Sequence, residues 1–203
     1  MDIMLKYLTL LLLTLPLLAC GKPNLASCLE NIEEARNSYP LKPKEKDSDI
    51  IQAIDIDQKY AKCFVKRLGI QRSDPIRKQV QKILDYTSTD IIYEEDKKEA
   101  LSDDLNRPGT KLPSRTVVDG KGDCEDKSAL AAIMLNELGI TTFLIKRQGI
   151  NNGLGHIFLG IKADYNTDLK CADDYLIAFD PTIKGAKLGD REDGLKSFKC
   201  VKL

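Results

Sequence analysis

The chain has no tryptophan, a single histidine and no excess of either charge, with 31 Lys and Arg against 31 Asp and Glu in 203 residues. Balanced charge removes the broad basic field that non-specific nucleic-acid binding requires. No nucleic-acid partner is expected, and any partner must be recognised at a local site. His156 and the cysteines lack the close ligand spacing of a metal centre, and the acidic runs lack the calcium-loop pattern, so neither metal nor cofactor is expected. The longest apolar run, Tyr7 to Ala19, is short against the roughly 20 residues that a bilayer span needs. Internal repeats and low-complexity tracts are missing as well. What remains is enough apolar content, 42%, to bury one substantial core.

The apolar run reads as the h-region of a signal peptide over residues 1–19, although Asp2 departs from the usual positive n-region. It stops at "LLAC", which resembles the bacterial lipobox, where cleavage before Cys20 leaves that residue to carry lipid. The expected mature protein is therefore tethered to a bacterial membrane through Cys20, in the cell envelope, facing periplasm or exterior. An ordinary signal peptide and a retained membrane anchor are the alternatives. Setting Cys20 aside leaves Cys28, Cys63, Cys124, Cys171 and Cys200, an odd number in an oxidising setting. At least one thiol must stay unpaired or pair between chains. Cys28 with Cys63 and Cys171 with Cys200 are the pairs nearest in sequence, each closing a loop worth roughly 3 kcal/mol by the loop-entropy estimate, but spacing alone does not choose among the pairings.

Residues 20–105 read as a helical region and residues 106–203 as the core that carries the chemistry. Apolar spacing at Leu25, Leu29, Ile32 and Ala35 predicts a short helix, and "PLKPKEKDSD" an exposed loop. Two further helices are expected in "IIQAIDIDQKYAKCFVKRLGI" and "SDPIRKQVQKILDYTS", the latter capped by Ser73 or Asp74 with Pro75 at its first position. "YEEDKKEALSDDL" reads as a solvated face, and "NRPGTKLPSRTVVDGKGD" as an irregular surface segment. A helix in "CEDKSALAAIMLNELG" precedes three strand-like runs, "TTFLIKR", "GHIFLGIK" and "YLIAFD". A helix followed by an antiparallel sheet is an α+β arrangement in which the sheet packs against the helix.

Asp123 is a good N-cap, and Asp126 three residues later completes a capping box with Asp in place of Glu, so Cys124 falls in the first helical turn. The positive end of the helix dipole there favours a thiolate. Asp123, Glu125 and Asp126 oppose it, so the thiol needs a cationic partner. His156 lies 32 residues on, at the start of a strand-like run, and Asp180 a further 24 residues on, at the tip of another. If those runs are neighbouring strands, His and Asp can face each other while the helix start brings the thiol to the imidazole. Thiolate nucleophile, imidazole base and orienting carboxylate would then make a Cys-His-Asp triad. The bland readings are a buried or bridged cysteine, a core histidine, and an Asp-Pro-Thr turn.

"GDCEDKSALAAIMLNELGI", "GHIFLGI" and "AFDPT", in that order, resemble the transglutaminase-like superfamily over residues of about 107 to 185. The resemblance implies a nucleophile at Cys124, a general base at His156 and an orienting acid at Asp180. It also implies an oxyanion donor from the Cys124 backbone N–H and a second from an upstream side chain, to be sought in "LNRPGTKLPSR". Many members carry an aromatic residue, often Trp, soon after the histidine; Phe158 is the match here. The expected function is a lipid-anchored cysteine enzyme acting on amide groups of peptides or proteins through a thioester, with hydrolysis favoured over transamidation. The alternative is a non-catalytic cell-envelope binding lipoprotein that keeps the fold.

Overall fold

The computed structural model describes residues 46–94, 110–147, 155–191 and 198–203. The signal segment, Cys20, Cys28, the helix expected around Leu25 to Ala35, and most of the charged run after Glu94 lie outside the described residues. Helix α1 (Lys46–Asp57) passes through a 3-10 turn (Gln58–Tyr60) into α2 (Ala61–Arg67), so the expected single helix is segmented. Helix α3 (Ile76–Asp85) has Pro75 at its N-cap position. Pro75 stands one place earlier than predicted, its extended ψ of 138° ending the loop rather than opening the helix. A π-helical turn (Tyr86–Asp90) leads into the short strand β1 (Ile92–Tyr93).

The segment read as irregular instead contains helix α4 (Pro113–Asp119), with Ser114, Thr116 and Val117 buried. Pro113 at its first position and Gly120 at its end, in the left-handed region at φ 64°, are the asymmetric start and stop of a helix. Those breakers mark the boundaries of a helix rather than a loop. Strand β2 (Lys121–Gly122) follows, paired in parallel with β1, and delivers the chain into α5 (Cys124–Glu137). Helix α5 is buried continuously from Asp126 to Leu135. A helix apolar on all sides is a core helix, and α5 packs against α1, α2, α3 and α4 as well as the sheet.

That sheet has the order β5-β6-β4-β3-β7 and is antiparallel throughout. The predicted runs form β3 (Thr142–Arg147), β4 (His156–Lys162) and β6 (Asp174–Phe179). Two strands were missed: β5 (Leu169–Cys171), within the separator before β6, and β7 (Phe198–Lys202). Alternation sends Leu144, Ile157, Leu159, Ile161 and Phe179 into the cluster that holds α5. Phe143, Ile145, Phe158, Leu176 and Ala178 form a second cluster on the opposite face. The outermost strands β5 and β7 are joined by the Cys171–Cys200 disulfide, their Cα atoms 6.1 Å apart, so the sheet curls until its edges meet around the second cluster. The fold is α+β with a helix-backed, curled antiparallel sheet.

Candidate active site

The start of α5 is built by three acidic residues and a glycine. The Asp123 carboxylate accepts hydrogen bonds from the backbone N–H groups of Glu125 (2.9 Å) and Asp126 (3.0 Å). The Asp126 carboxylate accepts in turn from the Asp123 N–H (3.3 Å), completing the capping box. Asp126 also accepts from the Lys111 backbone N–H at 2.7 Å and pairs with the Lys111 ammonium at 3.4 Å, tying the chain before α4 to the helix start. A side chain at Gly122 would meet Asp126 Cβ at 2.6 Å, so this approach requires glycine. Burial, then the Asp123 charge, pushes the Asp126 carboxyl up to about 7 against the pull of Lys111.

Cys124 is the free thiol among the described residues, and it is half-buried against the α5 cluster. Cys171 and Cys200 are joined, and Cys63 is disulfide-bonded, while Cys28 lies outside the described residues. The thiol departs from the expectation of a lowered pKa. Burial, then the Asp123 charge, push it up to about 12, with a smaller push from Glu125, against hydrogen bonds from the backbone of Ile157 and Glu125. Desolvation of the thiolate therefore outweighs the helix terminus. The sequence pattern could not show this, because burial is set by tertiary packing and not by neighbours along the chain.

His156 opens β4, is 9% exposed, and stacks on Phe158 two residues along the same face, ring centroids 5.8 Å apart. Its Nε2 stands 2.8 Å from Oδ2 of Asp180, which is fully buried just beyond β6. Strands β4 and β6 are direct neighbours, Leu159 opposite Phe179, as the meeting of the two side chains requires. The other carboxylate oxygen, Oδ1, accepts from the Thr182 N–H (3.0 Å) and hydroxyl (2.6 Å). The Asp-Pro-Thr turn thus fixes the carboxylate and leaves its other oxygen to the histidine. The imidazole is bonded to Asp180 and the thiol to the strand backbone at Ile157, one residue from His156. The ring nitrogen left to face other partners is Nδ1.

Of the segment expected to hold a second oxyanion donor, residues 105–109 lie outside the described residues. The Thr110 hydroxyl is bonded to Glu125 (3.4 Å) and the Lys111 N–H to Asp126. Within the first turn of α5, the N–H groups of Glu125, Asp126 and Lys127 all have acceptors in the cap, which leaves that of Cys124 for a developing oxyanion. Lys127, in the first turns of the same helix, is buried at 1% exposure and donates to the Ile91 carbonyl at 2.9 Å. Among the described residues, no group of three or more His, Cys, Asp or Glu side chains is placed to hold a metal ion.

A family model described as the transglutaminase-like superfamily matches residues 62–153, which includes Cys124 and ends just before His156. No curated protein sequence matches the chain. Among solved structures, a candidate cysteine protease from Cytophaga hutchinsonii is similar at 19% identity and a TM-score of 0.41, covering 66% of this chain and 42% of that one. A structure described as a TGase is similar at 17% identity and a TM-score of 0.47, covering 84% of this chain and 42% of that one. The chain thus spans well under half the length of each.

Proposed function

From the match of residues 62–153 to the transglutaminase-like superfamily, we propose a cysteine enzyme that cleaves amide groups of peptides or proteins through a thioester. The observation that carries this reading is the buried His156–Asp180 hydrogen bond at 2.8 Å, together with a free thiol at Cys124 that is bonded to the backbone of Ile157, the next residue along the strand from His156. The Cys124 thiol gives its proton to Nδ1 of His156, and the sulfur attacks the amide carbonyl carbon. Asp180 holds the Nε2–H tautomer and faces the imidazolium that forms. The Cys124 N–H receives the oxyanion. Collapse expels the amine, which takes the proton from His156, and leaves an acyl thioester on Cys124. Water, activated by the same imidazole, releases the acid. Hydrolysis is favoured over transfer to an amine because water is the default acceptor. The protein is proposed to work in the cell envelope, anchored through lipid on Cys20, and the intact mass of the mature N-terminus tests that part.

A non-catalytic lipoprotein on the same fold is the second reading. It is favoured by one observation, the thiol pushed up to about 12. The two readings separate in one experiment on mature protein purified without reductant. Free thiols are counted, and the rate of Cys124 alkylation is followed against pH. The enzyme reading expects a midpoint below about 7.5 and peptide cleavage lost in Cys124→Ala. Alkylation like an ordinary thiol near 8.5, or later, with cleavage unchanged in Cys124→Ala, sinks it.

A further inference from the structure

The chain is neutral as a whole, yet from Gln58 to Lys82 it holds eight Lys and Arg against one carboxylate, Asp74. That stretch is the corner formed by α2 and α3. It lies at the C-terminal end of α5, where Arg72, between the two helices, donates to the Glu137 carbonyl at 2.7 Å and pairs with its carboxylate at 3.1 Å. Lys82 of α3 donates to the Gly69 carbonyl, just beyond α2, at 2.9 Å, which brings the cations of both helices together. Asp74 is taken by Lys78 at 2.7 Å and Lys82 at 3.8 Å. Lys66, Arg67 and Arg77 are exposed and, among the described residues, in no ion pair. Set among these cations, Ile76 shows 65% of its surface. It also lines a cavity of about 600 Å³ with Leu138 and Ile140, whose charged lining is Arg72, Lys162 and Asp164. An exposed apolar side chain ringed by cations fits an anionic bilayer, which takes the cations at its headgroups and the isoleucine at the acyl boundary. A soluble polyanion would use the cations and leave the isoleucine in water. Cys124 stands at the other end of α5, about 20 Å away along the helix.

We propose that the corner of α2 and α3, through Lys66, Arg67, Ile76 and Arg77, docks on anionic phospholipid and turns the Cys124 end of α5 away from the bilayer. The proposal rests on the cell-envelope reading of the chain. Acyl chains on Cys20 would hold the protein at a bilayer without fixing which face meets it, and the basic corner fixes the face. A protein or peptide substrate then reaches Cys124 from the aqueous side.

Because the chain has no tryptophan, a single one placed on its surface reports alone. Ile76→Trp replaces the isoleucine of the corner, and Ile92→Trp replaces one that is 67% exposed on β1, whose partner β2 leads into the Cys124 turn. Mature protein is mixed with phosphatidylcholine vesicles, with or without phosphatidylglycerol, that carry a brominated acyl chain as quencher. Emission of Ile76→Trp is expected to be quenched on the phosphatidylglycerol vesicles and not on phosphatidylcholine alone, with Ile92→Trp unquenched on both. Adding Lys66→Glu and Arg77→Glu is expected to remove the quenching, each basic residue near an anionic surface being worth roughly fivefold in affinity. Quenching of Ile76→Trp that is equal on the two vesicles, absent from both, or matched by Ile92→Trp overturns the proposal. A second measurement needs no substitution. Acetylation of Lys66 in the wild type, read by mass spectrometry, is expected to slow on phosphatidylglycerol vesicles while that of Lys121 on β2 does not. An unchanged rate at Lys66 overturns the proposal, and protection by soluble polyphosphate but not by the vesicles overturns it in favour of a soluble polyanion. Failure of the envelope reading shows separately, as a mature N-terminus whose intact mass lacks lipid, and the quenching is read in the same way with or without that lipid.

Discussion

His156 Nε2 and Asp180 Oδ2 stand 2.8 Å apart, with the histidine 9% and the aspartate 0% exposed. Strand pairing brings them together across the 24 residues that separate them, and the Thr182 bonds to Oδ1 leave Oδ2 for the ring. A buried carboxylate bonded to an imidazole stabilises the imidazolium and selects the tautomer whose other nitrogen can accept a proton.

From this pair follows the first prediction. His156→Ala is expected to lower peptide cleavage by about 10²- to 10⁴-fold, the usual contribution of a general acid-base group. It should also move the alkylation midpoint of Cys124 upward. Asp180→Asn should act in the same direction while leaving the thermal midpoint nearer to wild type than a deletion of the side chain would. Unchanged alkylation in His156→Ala would remove the histidine from its role.

Asp123 caps α5 and also raises the thiol pKa. Asn at this position keeps the oxygen that accepts the cap bonds and loses the charge. Asp123→Asn is expected to shift the alkylation midpoint down and to speed alkylation at pH 7 by up to about tenfold, one pKa unit of thiolate. A slower reaction in a folded variant would show that the cap, and not the charge, governs the thiol.

Asp126 gives a pH dependence to stability. Its folded value of about 7 lies above the ordinary 3.8, so between those values the folded state binds more protons than the unfolded state. Stability from this group is therefore present at low pH and lost as pH rises through about 7. Urea unfolding of the wild type and of Asp126→Asn from pH 4 upward should show the wild type losing ground against the variant toward neutrality. A constant difference between the two would contradict this.

The Cys171–Cys200 bridge closes a separation of 29 residues and joins the two edges of the curled sheet. Replacing both cysteines with Ala is expected to cost about 3 kcal/mol by loop entropy, read from the denaturation midpoint at constant slope. Cys124 reactivity in the folded variant should stay close to wild type, because the bridge lies in the second cluster while the thiol packs with the first.

Local chemistry made much of this molecule legible in its sequence. The α5 start could be read from Asp123 and Asp126 because capping is settled within four residues, and β3, β4 and β6 from β-branched and aromatic runs. The order of Cys124, His156 and Asp180 pointed to a shared site before any geometry was known. Segments whose state depends on distant partners were read less well. The α4 segment carries Pro, Gly and Asp, yet forms a buried helix because its Ser114 N–H is held by Asp57 of α1 at 2.6 Å. The strands β5 and β7 are short, and they exist because β6 and β3 offer them edges.

The sequence by itself determined which residues could react: one histidine, a cysteine at a capped helix start, and an aspartate in a turn; that this cysteine is free was decided by the structure. Only the tertiary structure decided their electrostatics, because desolvation and charge interactions depend on distances through space rather than along the chain. Burial in the packed core pushes the Cys124 thiol up, and pairing of β4 with β6 joins His156 to Asp180.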